Sequence, residues 1–173
     1  AGYVVGGGTL SASGGGGAGT CSGSFVCSGG GGGRIAVIAS TASFTGVWRA
    51  FGGVGPTAAN SGAAGTIFVK TPGTNGTLIV DNNNVIASHT AGVLAGNYTF
   101  DSVQMLRLSS MTFVSPSTVT IKGINAFFDG DNTSTATVMG VVNGGAFLNV
   151  YSTSMTVRWG DTGNPTNARY TVQ

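Results

Sequence analysis

The chain offers few residues that could do chemistry. Its one histidine is His89, in "ASHTAG", so a Ser-His-Asp arrangement for acyl transfer would have to use it. A histidine beside Thr90 and Gly92 in a turn reads better as a surface residue. The acids are Asp81, Asp101, Asp129, Asp131 and Asp161, with no glutamate. Glycoside hydrolysis needs two carboxyl groups facing each other across a substrate, about 5–9 Å apart. Asp129 and Asp131 in "FDGDNTS" are neighbours in a loop, which does not place them so. Asp101, Arg107 and Lys122, on what should be adjacent strands, could imitate a polysaccharide-lyase set. Asp129, Asp131 and Thr133 alternate as the ligands of a calcium loop do, but the downstream Glu of an EF-hand is missing and a polar turn is the expected reading. The sequence therefore predicts no catalytic site and no cofactor.

Cys21 and Cys27, in "CSGSFVC", are the two cysteines. Their spacing is wrong for a CxxC redox motif, and no histidine stands by to complete a metal site. A small disulfide loop, formed in an oxidising compartment, is expected. Three acceptor sequons for N-glycosylation begin at Asn75, Asn97 and Asn132.

Charge excludes further classes of function. Charged residues make up 7% of the chain, against roughly 25% in an average soluble protein, and the formal net charge is +2. The seven cations are scattered singly, so nucleic acid finds no basic stripe. No apolar run approaches the roughly 20 residues of a membrane span. Hydrophobic residues reach 41%, which is too many for a disordered chain of such low charge. The chain begins at Ala1 without Met, as an exported chain cleaved after a small residue would.

Such residues must be positioned by strands, since no window shows the i, i+3, i+4, i+7 apolar pattern of a helix. Short β-prone runs alternate with turn clusters such as "TPGTNG", "DNNN" and "VNGG". Strands are expected at 8–13, 34–40, 46–51, 65–70, 77–81, 98–108, 111–114, 117–122, 136–142, 146–151, 155–159 and 169–173. Within "FDSVQMLRLSSMTFV" the apolar alternation slips phase between Met105 and Leu106. A flat strand would then turn half its side chains to the wrong face, so a bend is expected there. Short apolar pairs separated by corners suit an all-β, β-solenoid or parallel β-helix-like fold with Gly-rich loops, in which strands stack on one another. A β-sandwich or jelly roll is the alternative. Residues 1–28 read as a β-prone arm with a cysteine loop, and 29–173 as a single β domain. The 32 glycines are expected to supply sharp turns at positive φ and close backbone approach.

The stretch "GGGGGRIAVIASTASFTGVWRAFGGVGPTAANSGAAGTIFVKTPG", followed by "GTLIVDNNN" and "TFDSVQMLRLSSMTFVSPSTVTIKG", resembles the glycine-rich module of very large secreted and cell-surface proteins. The resemblance covers roughly residues 29 to 123. It implies a β-solenoid in an extracellular structural or adhesive protein. The expected role is a self-assembling subunit of an extracellular filament, tube or sheath, with the chain itself as partner. The arm residues Tyr3, Val4, Val5 and Leu10 are candidates for a strand donated to a neighbour. The alternative is a glycan-binding or adhesive module, in which Trp48, Tyr98, Tyr151 and Trp159 would stack on surface sugars. Those rings are better suited to a core or a subunit interface.

Overall fold

The structure is a computed structural model that describes residues 2–17, 27–114 and 116–122, with the backbone of two further strands, Phe127–Asp129 and Thr135–Val138. Scarce helix formers and abundant Thr, Val and Ser leave the chain with strands. They are β1 (Tyr3–Gly6), β2 (Thr9–Ser11), β3 (Arg34–Ile38), β4 (Thr41–Phe44), β5 (Val47–Arg49), β6 (Thr66–Lys70), β7 (Thr77–Asp81), β8 (Ala91–Val93), β9 (Gly96–Phe100), β10 (Ser102–Leu106), β11 (Ser110–Phe113), β12 (Ser117–Ile121), β13 (Phe127–Asp129) and β14 (Thr135–Val138). A 3-10 turn at Ala58–Asn60 is the sole helical element among the described residues. The fold is all-β, and its sheets are open rather than closed into a barrel.

Nearly every pairing is parallel. From β7 onward three ladders repeat in chain order: β7, β10 and β13 pair in one, β8, β11 and β14 in the next, β9 and β12 in the third. The registers put like beside like. Leu78 lies opposite Val103, Val80 opposite Met105, Ala91 opposite Met111, and Phe100 opposite Ile121. Alternate residues of a strand share a face, so these matched columns form one core in which Val80, Met105 and Met111 have no solvent exposure. Aromatic rings continue the columns. Tyr98 stacks on Phe100 at 6.1 Å between centroids, and Phe113 tilts against both at 5.4 and 6.4 Å, within the range where ring pairs attract.

The phase slip at Met105 and Leu106 is resolved by a corner. Arg107 and Leu108 both take positive φ, 50° and 61°, and Asn83 and Asn84 do the same in the preceding corner. Asn tolerates this conformation, and the carboxylate of Asp81 holds the pair of corners together. It accepts from Asn83 N at 2.8 Å and from Arg107 Nε at 2.9 Å, and forms an ion pair with the same guanidinium. The expected strand over 98–108 is in fact two, cut at Asp101. Strands β4, β8 and β13 are not among the expected ones, since each is only three or four residues long, and β1 falls in the stretch read as a β-prone arm.

The one antiparallel pair among the described strands, β6 with β7, turns back through residues 71–76, where Gly73 and Gly76 have φ of 80° and 89°. Residues 2–11 run parallel to 40–49 as a thin ribbon, β1 on β4 and β2 on β5. Its apolar side chains are poorly covered: Tyr3, Val5, Leu10 and Val47 are all exposed.

Candidate functional site

The glycine runs correct one expectation. None of residues 29–33 has positive φ, so they are not sharp turns. They are one of four segments, 12–17, 29–33, 50–55 and 60–65, that lie side by side and bond at every third residue. Gly14 N and Gly17 N donate to Phe51 O and Val54 O, at 2.9 and 2.8 Å. Gly30 N and Gly33 N donate to Gly15 O and Ala12 O, while Gly29 N and Gly32 N turn to Asn60 O and Ala63 O. Gly62 N and Gly65 N close the set on Gly53 O and Ala50 O. A three-residue spacing of the bonds between neighbours is also that of packed polyproline-II-type chains, which approach this closely only when the contact residue is glycine. A Cβ at Gly14 would sit 1.9 Å from Gly30 O, one at Gly53 1.9 Å from Gly15 O, and one at Gly65 1.8 Å from Gly33 O. Close backbone approach, also expected, is therefore the observed use of these residues.

Asn82 joins this bundle to the ladders. It is 2% exposed, accepts from Gly52 N at 3.0 Å and donates from Nδ2 to Val85 O at 2.6 Å. The "DNNN" run read as a turn, but sequence reasoning missed that its second residue is the bolt between the two halves. A buried amide with both ends satisfied fixes geometry better than an apolar contact would.

At the end of the ladders nearest β6 the core is open. β8 pairs with β11 and β9 with β12, and no described strand lies along the other edge of either. A cavity of about 300 Å³ opens there, lined by Arg34, Thr66, Phe68, Leu78, Val93, Leu94, Tyr98 and Phe100. Its walls are mostly apolar, with Thr66 and one charged residue, Arg34, whose guanidinium donates a long hydrogen bond, 3.4 Å, to Gly92 O. The Tyr98 hydroxyl is engaged on Leu94 O. Leu94 is 73% exposed at the rim.

The polar candidates do not converge. Asp101 accepts from Asn75 N and Asn75 Nδ2, each at 2.7 Å, and from Gly76 N at 3.2 Å. These bonds, the Asn75 side chain's first, hold its carboxyl below the usual range, with a smaller contribution from the charge of Lys122. Asp101 thus pins the turn before β7, while Arg107 serves Asp81, and the two do not share a site. His89 Nε2 lies 3.0 Å from Ala59 O, and the cavity beside it, about 260 Å³, is lined by no carboxylate. The Asn75 amide is occupied by Asp101, whereas Asn97 stands exposed on β9. Asp129 falls on β13, opposite Met105 in register. Cys27 is disulfide-bonded. Cys21, Asp131, Asn132, Thr133, Tyr151 and Trp159 lie outside the described residues. Trp48 packs edge-on against Phe44 at 4.8 Å, across the β4–β5 corner, and lies opposite Leu10. Among the described residues no three His, Cys, Asp or Glu side chains gather to hold a metal ion, and no helix is long and apolar enough to cross a membrane. Searches against protein-family models, curated proteins and solved structures find no match to this chain.

Proposed function

We propose that the protein is a self-assembling structural subunit of an extracellular filament, tube or sheath. In this reading the three parallel ladders are the faces of a β-solenoid whose successive turns are β7–β9, β10–β12 and the turn that begins with β13 and β14, each turn covering the core of the one before. The observation that carries the reading is the open end: among the described residues no strand lies along the outer edges of β8 and β9, beside a mostly apolar cavity. Unpaired strand edges over exposed core invite another strand, and long solenoids cover them with caps. Low charge lets many copies crowd together with little repulsion. The disulfide at Cys27 fits an oxidising, exported setting.

Sedimentation of the protein over a range of concentrations, with electron microscopy of the pellet, tests the proposal. Regular polymers are expected. A monomer at every concentration, combined with binding in a glycan screen, would replace assembly with the adhesive-module reading.

A further inference from the structure

The cavity end of the ladders is an unfinished layer. β6 lies along β7 there, but the positions beside β8 and β9 hold no described strand. A strand filling the place beside β9, the longer of the two edges, must carry apolar side chains at alternate positions, because only residues i and i+2 face the same side. β1 has this character. Tyr3 and Val5 are 73% and 61% exposed, while the strand pairs with β4 on one edge and with no described strand on the other. β1 carries no charge, and Arg34 is the one charged residue lining the cavity, so nothing repels the approach. Within its own chain β1 is held in register by Thr41–Phe44, and Gly2 O accepts from Ser40 N at 2.8 Å. The strand that reaches the cavity therefore belongs to another copy.

We propose that β1 of a second copy, still paired with its own β4, docks along the bare edge of β9 and sets Tyr3 and Val5 over Phe68, Leu78, Tyr98 and Phe100. The proposal rests on the assembly reading and names its interface. Main-chain bonds along β9 supply affinity and the cavity supplies specificity, as in other strand additions. Because the arm and the cavity are different surfaces, the contact is head-to-tail, and each copy keeps a free arm or cavity through which the next can add, as a growing filament requires.

Val5→Lys removes the arm and Leu94→Lys blocks the cavity rim. Both positions are well exposed, so the fold should survive, and circular dichroism with thermal melting checks this. Each variant alone is expected to associate at least about tenfold more weakly than the parent, the size of a lost central contact. An equimolar mixture should form two-copy complexes that go no further, since Val5→Lys keeps its cavity and Leu94→Lys keeps its arm. A labelled peptide AGYVVGGGTL should bind the parent and not the Leu94→Lys variant. If the parent polymerises and both variants polymerise equally well, this interface is wrong while assembly stands. If the parent never polymerises and the peptide does not bind, both fall. Binding of octanoate in place of the peptide would make the cavity a small-molecule site and overturn the proposal.

Discussion

Replacing Gly65 by Ala should be among the most damaging single-methyl changes this chain can receive, and replacing Gly31 by Ala among the most benign. An added Cβ at Gly65 would lie 1.8 Å from Gly33 O and 2.6 Å from Gly32 C. An ordinary carbon–oxygen contact is about 3.3 Å or more, so segments 29–33 and 60–65 would have to separate by roughly 1.5 Å. That displacement breaks Gly65 N to Ala50 O, at 2.6 Å, and Thr66 N to Gly33 O, at 3.1 Å. Gly65 is buried, and each backbone pair lost there costs about 1–3 kcal/mol. The sum is about 2–6 kcal/mol, or a fall in Tm of roughly 5–20 °C for a chain of this size. At Gly31 the added Cβ meets nothing within 4 Å and φ is not left-handed. Ala restricts the unfolded chain there and should stabilise by about 0.4–1 kcal/mol. Thermal and urea melts of the two variants beside the parent give the measurement. An unchanged Tm for Gly65→Ala, or equal losses at the two positions, would refute the packed bundle.

Asn82→Ala strands Gly52 N–H and Val85 C=O in the interior and should cost about 2–4 kcal/mol in a urea melt, with hydrogen exchange rising first at Gly52. Met105→Ala empties a fully buried site in the middle of the ladders and should cost about 2–5 kcal/mol by the same assay. The Asp101 carboxyl is lowered by its Asn75 and Gly76 bonds, so its contribution is present above its unfolded pKa near 3.8 and disappears as pH falls through the lower folded value. Asp101→Asn should therefore flatten the stability curve below about pH 4 and leave its shape near neutrality unchanged, as melts from pH 2 to 7 would show. Arg107→Gln should cost less than about 1 kcal/mol, because the ion pair with Asp81 sits at an exposed corner, and the difference should shrink in high salt.

The all-β class was legible in the chain because it follows from local chemistry: β-branched residues in short runs, turn residues between them, and no helical period. The bend near Met105 was legible for a similar reason, since a two-residue period cannot slip phase on a flat strand. Asp101 shows where local reading stops. Its type and spacing could imitate a lyase set with Arg107 and Lys122, although the sequence predicted no catalytic site, and the role it does play was not legible: its bonds go to a turn 25 residues earlier in the chain, and Arg107 goes to Asp81. Nothing in one dimension says which loop a carboxylate will meet.

The glycines mark the division most clearly. That residues 29–33 can come close to other backbone is contained in the sequence, because five consecutive residues without Cβ leave room for it, though the same run equally allowed sharp turns at positive φ. Which backbone they approach was decided by tertiary structure alone. Three partners, 12–17, 50–55 and 60–65, come from separate parts of the chain, and the bonds are made by N–H and C=O groups that every residue type shares. Side-chain identity can permit such contact or forbid it, but a backbone group carries no address, so the choice of partner waits on the ladders that bring the four segments side by side.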